Sequence, residues 1–261
     1  MRILMIGDIV GRPGRKAAAA LLPQITREHK VDFVMANGEN AAGGRGITRD
    51  VADELLRLGI DVITMGNHVW DNRDIFNFID TEYRLLRPAN YPEDCPGKGY
   101  HIYSGPSGRR IAVINISGRV FLDCLECPFR TMDYIINKIE NQADLILVDL
   151  HAEATSEKQA LAWYLDGRVT AVFGTHTHVQ TADETILPGG TAYITDVGMT
   201  GPYHSVLGVK TKQVIERFLT QRPCHFEVAS GPLQLDAALL EIDEISLKPV
   251  SIKRIKEHME A

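Results

Sequence analysis

Short apolar runs alternate along this chain with longer segments whose apolar residues recur at helical spacing. The first run, Arg2–Ile6, ends in Gly7-Asp8, and Pro13-Gly14-Arg15 then opens an alanine-rich segment that predicts a helix to about His29. Val31–Ala36 predicts the next strand and ends in Asn37-Gly38-Glu39-Asn40, followed by a glycine-rich loop, Ala41–Gly46. Thr48 stands where a cap is needed for a helix over Arg49–Leu58, with Val51, Leu55, Leu56 and Leu58 at roughly helical spacing. Ile60–Met65 predicts a third strand, which ends in Gly66-Asn67-His68.

From about Arg87 to Cys127 the pattern is broken by Pro88, Pro92, Pro96 and Pro106, and Ile111–Ile116 is the clearest strand there. A helix is expected from Pro128 to about Asn141, a strand over Leu145–Leu150 leading into His151, and a helix over Ser156–Leu165. Val169–Phe173 predicts a strand that runs into Gly174-Thr175-His176-Thr177-His178. The remainder reads as strands over Thr191–Thr195, Ser205–Val209, His225–Ala229 and Asp236–Ile242, with one helix over Lys212–Gln221. Such alternation predicts an α/β fold, and the strand-rich C-terminal third predicts a second sheet packed on the first, a four-layer αββα sandwich. No linker or repeat divides the chain, so residues 1–261 are expected to form one domain.

Five predicted strand ends carry metal-ligand residues: Asp8; Glu39 and Asn40; Asn67 and His68; His151; and His176 and His178. In open α/β sheets such ends share one edge, where ligands bind. Each residue alone has an ordinary explanation, such as a cap, a turn or a buried histidine, and the argument rests on their coincidence. Mixed oxygen and nitrogen donors suit Mn, Fe or Zn better than Ca. The set is large enough for two ions with Glu39 bridging them, and two ions about 3.5–4 Å apart hold a phosphoryl oxygen and activate a water as hydroxide nucleophile. His68 then reads as the proton donor to the leaving alkoxide. The expected reaction is hydrolysis of a phosphate ester.

Composition adds exclusions. Net charge is −6, which argues against a sheath for nucleic-acid backbone and against stable nucleic-acid binding, while leaving room for a small phosphorylated ligand. No apolar run approaches bilayer length, and the opening residues read as a strand rather than a signal peptide, so a cytoplasmic location without membrane contact is expected. Cys95, Cys124, Cys127 and Cys224 read as free thiols; Cys124-Leu125-Glu126-Cys127 has no second close pair to complete a zinc site.

Gly66-Asn67-His68 and Gly174-Thr175-His176-Thr177-His178 resemble two motifs of the calcineurin-like metallophosphoesterases, which also begin with a metal-binding aspartate after the first strand, here Asp8. The chain departs from that pattern twice: Asp8-Ile9-Val10 lacks the histidine of Asp-x-His, and Gly38-Glu39-Asn40 replaces the usual Gly-Asp. These departures, with Met5–Arg15, Asn37–Gly44, Asp149–Glu153 and Asp196–Tyr203, resemble the YmdB-like phosphodiesterases over nearly the whole chain. The resemblance implies the calcineurin-like fold, hydrolysis of 2′,3′-cyclic nucleotides and a homo-oligomer. It implies Asp8, Glu39, Asn40 and His178 on one metal, Glu39, Asn67, His151 and His176 on the other, His68 as proton donor, and iron or manganese as the ions. A phosphomonoesterase, or a regulatory or RNA-associated protein that uses the site only for binding, are the alternative functions.

Gly7, Gly11 and Gly14 miss the dinucleotide-binding spacing because Ile9 occupies the second glycine position; they are expected to keep the loop tight beside Asp8. Arg45 in the glycine loop fits a phosphate contact as well as it fits a plain surface turn. Gly198–Tyr203 offers a pocket wall, with Tyr203 stacking on a base and His204 on the surface, and Lys253-Arg254-Ile255-Lys256 reads as a solvated terminal strand.

Overall fold

Every strand that ends in a candidate ligand is buried on both faces, and three separate apolar cores account for that burial. The fold comes from a computed structural model that describes residues 1–260. The first sheet contains β1 (Arg2–Ile6), β2 (Asp8–Ile9), β3 (Phe33–Asn37), β4 (Val62–Thr64) and β5 (Leu85–Leu86). The second is formed by β6 (Tyr100–Ser104), β7 (Arg110–Ser117), β8 (Leu145–His151), β9 (Ala171–Thr175), β10 (Thr185–Ile186) and β11 (Ala192–Ile194). Then β12 (Met199–Pro202), β13 (Leu233–Ile242) and β14 (Pro249–Met259) return to the first sheet. Its order is β2-β12-β13-β1-β3-β4-β5 with β14 on β13, and the second sheet runs β10-β11-β9-β8-β7-β6.

The helices are α1 (Gly11–His29), α2 (Arg49–Arg57), α3 (Pro128–Lys138), α4 (Thr155–Leu165) and α5 (Thr211–Thr220). Alternation along the strands assigns the layers. Leu4 and Ile6 of β1 join Leu22 and Ile25 of α1 and Leu55 of α2 in one core. Ile3 and Met5 face the other way, onto Val113, Leu147 and Phe173 of the second sheet. Ala112, Ile114 and Ile116 of β7 complete the sequence by packing on Met132 and Ile135 of α3 and Leu161 and Leu165 of α4. Three cores separate four layers, so the αββα sandwich expected from the sequence is present. The cap on α2 is also as expected: Thr48 accepts from the Val51 amide at 3.3 Å.

The origin of the second sheet differs from expectation. It comes from the middle of the chain, while the C-terminal strands extend the first sheet. β13 explains why: Leu235, Ala237 and Leu239 enter the helix-side core and Ala238, Leu240 and Ile242 the core between the sheets. A strand apolar on both faces has to lie inside a layer, and β13 lies antiparallel beside β1, with Arg2 opposite Glu241. β14 carries Lys253–Lys256 along the outside as the solvated strand predicted.

Two other predicted strands are not strands. Ser205–Val209 is a tight turn: the Val206 and Val209 backbones exchange hydrogen bonds at 2.9 and 3.0 Å around Leu207 and Gly208, whose φ values are 53° and 92°. Two successive positive φ angles make a type I′ turn. His225–Ala229 is an extended loop that meets this turn through one bridge, Val209 to Val228. No helix among the described residues is long and apolar enough to cross a membrane.

Candidate metal centre

β1, β3 and β4 run parallel in one sheet, and β8 and β9 run parallel in the other. Their C-terminal ends meet at one edge of the sandwich, and all eight candidate residues lie there. The tightest group is centred on His151 Nε2. Glu39 Oε1 is 3.1 Å from it, Asn67 Oδ1 3.0 Å and His176 Nδ1 3.0 Å. Ligand atoms of Glu39, His151 and His176 all lie within 4.8 Å of one another. Beside them, His178 Nε2 stands 3.2 Å from Asn40 Oδ1 and 3.7 Å from Asp8 Oδ1. The Asp8 Oδ2 atom accepts from the His176 amide at 3.2 Å, which ties the two groups together.

The hydrogen bonds behind these atoms fix which lone pairs point inward. His151 Nδ1 lies 3.0 Å from Thr175 Oγ1, and that hydroxyl donates to Asp149 Oδ1 at 2.7 Å. Thr175 therefore accepts from His151 Nδ1–H, and the Nε2 lone pair faces the cluster. His178 Nδ1 donates to the Leu207 carbonyl at 3.1 Å, again leaving Nε2 to face oxygen acceptors. Asn40 donates its amide to Gly44 O at 3.1 Å, which turns Oδ1 inward. With His151 neutral, lone pairs thus confront lone pairs, and the buried Asp8 Oδ1 has no hydrogen-bond donor at all. A cation satisfies such a set; a neutral site does not.

Electrostatics gives the same answer. Burial pushes the Asp8 carboxyl up to about 6 against the pull of His178 and His151. For Glu39 burial acts upward too, but the neighbouring His151 outweighs it and brings the carboxyl down to about 2. Burial disfavours a charged His151, yet Glu39 raises that ring to about 9. His176 is held down to about 3 by burial and by the charge on His151, which keeps the ring neutral with a lone pair to offer. A bound cation would take over the role of the His151 proton. A Cβ on Gly66 would lie 2.2 Å from His151 Nε2 and 2.5 Å from Glu39 Oε2, so only glycine lets this turn pack against the cluster.

The loop that carries the two histidines is strained, with φ of 99° at His176 and 64° at His178. A buried ion pair holds it. Lys158 Nζ, from α4, donates to Thr175 O at 2.6 Å and to Asp196 Oδ2 at 2.7 Å, and the same oxygen accepts from the Thr177 amide at 3.0 Å. Sequence reasoning missed Asp149, Thr175, Lys158 and Asp196 as supports. Only Asp149 carried a signal, a charged residue inside the apolar run Leu145–Leu150.

His68 sits apart from the cluster at its mouth. Its amide donates to Glu39 Oε2 at 2.9 Å and its ring Nδ1 lies 2.9 Å from Asp71 Oδ2. An inner pocket of about 240 Å³ is lined by Glu39, His68, Glu153, His176 and His178. An outer cleft of about 780 Å³ continues from His68 and His178 past Arg12 and Arg45 to Phe226. Tyr203 lines neither of them: it packs on His258, with ring centroids 4.5 Å apart, and so is not the expected pocket wall. Leu207, at the tip of the tight turn, takes that position in both. Cys127 is the residue just before α3 and is half-buried, Cys124 is exposed, and both are free thiols.

Two stacked sheets flanked by helices, with nitrogen and oxygen donors gathered at one edge, define a fold of the metallophosphoesterase type. The family model for YmdB-like proteins matches residues 4–255, and the chain belongs to that family. It is 51% identical to a 2′,3′-cyclic-nucleotide 2′-phosphodiesterase of Bacillus subtilis (strain 168), over 98% of this chain and 96% of that protein. Among solved structures, it resembles a hypothetical protein from Thermus thermophilus, with TM-score 0.93 and 44% identity over 99% of both chains. It likewise resembles a novel phosphatase from Mycoplasma pneumoniae, with TM-score 0.93 and 34% identity over 100% of this chain and 94% of that one.

Proposed function

We propose that this chain is a metal-dependent phosphodiesterase that opens 2′,3′-cyclic nucleotides. The observation that carries the reading is the convergence of Glu39, Asn67 and His176 on His151 Nε2, with Asp8, Asn40 and His178 adjoining. The name of the Bacillus subtilis relative supports the substrate class.

Glu39, Asn67, His151 and His176 would hold one cation and Asp8, Glu39, Asn40 and His178 the other, with Glu39 common to both. The donor set suits iron or manganese. When bound, such ions supply charge neutralisation for phosphoryl oxygens and acidify a water molecule. The protein's own part is to orient and to move a proton. Asp71 holds His68 through Nδ1, which leaves Nε2 free at the lip between the inner pocket and the outer cleft. As the water oxygen bonds to phosphorus and one ribose oxygen leaves, His68 delivers a proton to that oxygen. The product is a nucleoside monophosphate.

The deciding experiment is elemental analysis of the purified chain together with an assay on adenosine 2′,3′-cyclic phosphate, with and without added Mn²⁺. About two metal ions per chain and chelator-sensitive ring opening are expected. A metal-loaded chain that leaves the cyclic phosphate intact overturns the reading.

A further inference from the structure

The inner pocket and the outer cleft differ in what they offer a ligand. The inner one, about 240 Å³, has room for the reacting phosphate ring beside the ligand cluster. The outer one, about 780 Å³, shares Asn40, His68, His178 and Leu207 with it and reaches the size of a pocket for a whole drug-sized ligand. Its far walls are the start of α1, the glycine loop and the extended loop Cys224–Ala229.

Two guanidinium groups, Arg12 and Arg45, line that cleft, and both side chains are exposed. Neither has a carboxylate within 4.0 Å or a side-chain hydrogen bond among the described residues. The acidic residue on the same wall, Glu227, is already engaged by Lys210 at 2.6 Å and Gln213 at 2.9 Å. The cleft therefore presents uncompensated positive charge in a chain whose total is −6. Phe226 stands beside it, 41% exposed, as an open aromatic face.

A cyclic mononucleotide makes poor use of these groups. Its one anionic charge is on the cyclic phosphate, which belongs at the ligand cluster. The nucleoside that remains is neutral and ends in a 5′-hydroxyl, so it gives Arg12 and Arg45 no partner. A phosphodiester on the 5′ oxygen supplies the missing anion, and the nucleoside beyond it supplies a base to stack on Phe226. We infer that the substrate is the 3′ end of a short oligoribonucleotide terminating in a 2′,3′-cyclic phosphate, with Arg12 and Arg45 on the penultimate phosphodiester. This rests on the proposed phosphodiesterase activity and extends it. The chemistry is unchanged: water adds to the terminal phosphorus, one ribose oxygen leaves with a proton, and the chain keeps its length. Contact with one or two phosphates is compatible with an acidic protein, because it needs no continuous basic face.

The test compares three substrates on the metal-loaded full chain: adenosine 2′,3′-cyclic phosphate, its 5′-phosphorylated form, and the adenylyl-adenosine dinucleotide ending in 2′,3′-cyclic phosphate. The dinucleotide should have kcat/KM at least about tenfold above the mononucleotide, the worth of one charge-assisted hydrogen bond. In Arg12→Ala/Arg45→Ala the ratio of the two should fall toward one. Calorimetry with the dinucleotide 3′-phosphate product should show the same loss of affinity without turnover. Equal kcat/KM for mononucleotide and dinucleotide overturns the inference while leaving the proposed activity standing. A 5′-phosphorylated mononucleotide that outperforms the dinucleotide assigns the arginines to a terminal phosphate and overturns the RNA-end assignment. Failure to open any of the three overturns both readings.

Discussion

The Thr175 hydroxyl lies 3.0 Å from His151 Nδ1 and donates its own hydrogen bond to Asp149 Oδ1 at 2.7 Å. One threonine thereby sets the tautomer of the most buried histidine in the site. In Thr175→Val a methyl group replaces the acceptor, His151 Nδ1–H loses its partner, and Asp149 loses a donor. Metal affinity should fall roughly 10–100-fold, as for other outer contacts to metal-binding histidines. Thr175→Ser should restore it. Metal titration by calorimetry decides the matter; unchanged affinity in the valine variant would show that the tautomer is set elsewhere.

His68 is positioned by two contacts that serve different ends. The amide belongs to Glu39 and the ring to Asp71. Replacing the ring leaves the amide contact in place. His68→Ala should therefore lower kcat by about 10²–10⁴-fold, the usual worth of a proton donor, with metal content unchanged. Loss of metal along with activity would place His68 among the ligands instead.

The eight candidate residues were legible because each follows an apolar run, and parallel strands bring such ends to one edge. Which strands share a sheet was less legible. β13 carries apolar residues on both faces, and only packing reveals that its place is beside β1. The turn at Leu207 was unreadable for a different reason. Val206 and Val209 have strand-forming side chains, and Leu207 adopts a left-handed conformation that its side chain disfavours. The His178 bond to its carbonyl holds it there. Lys158 was invisible because a lysine in a helix ordinarily faces water, and nothing local says that Asp196 will meet it.

That buried pair supports a stability prediction. Lys158 and Asp196 are both fully buried, and Asp196 also binds the Thr177 and Gly198 amides at 3.0 and 2.9 Å. Removing the cation leaves a carboxylate without its charge partner. Lys158→Met should cost roughly 3–5 kcal/mol in urea unfolding. Adding Asp196→Asn should recover part of that loss, because the uncompensated charge is then gone. A single variant as stable as the parent would mean that the pair does not anchor the histidine loop.

Asp236, outside the candidate ligand set, gives a pH prediction. It is buried on β13, and its Oδ1 has no hydrogen-bond partner; Lys256 stands 3.7 Å away, Gln234 donates to Oδ2 at 3.1 Å, and Asp196 adds repulsion. Burial pushes its carboxyl from 3.8 up to about 6 despite the pull of Lys256. Between those values the folded chain holds a proton that the unfolded chain has released. The contribution is therefore complete below about 4 and lost as pH rises through about 6. The shift of about two units corresponds to a cost of ~3 kcal/mol at neutral pH. Carboxylates with lowered values, such as Asp183 with its Thr181 and Thr195 bonds, act in the opposite sense, so the readout is the difference between the parent and Asp236→Asn. In urea unfolding the asparagine variant should gain stability relative to the parent as pH is raised from 4.5 to 7.5. A difference that stays constant across that range would mean the carboxyl is ionised throughout and that Lys256 fully compensates its burial.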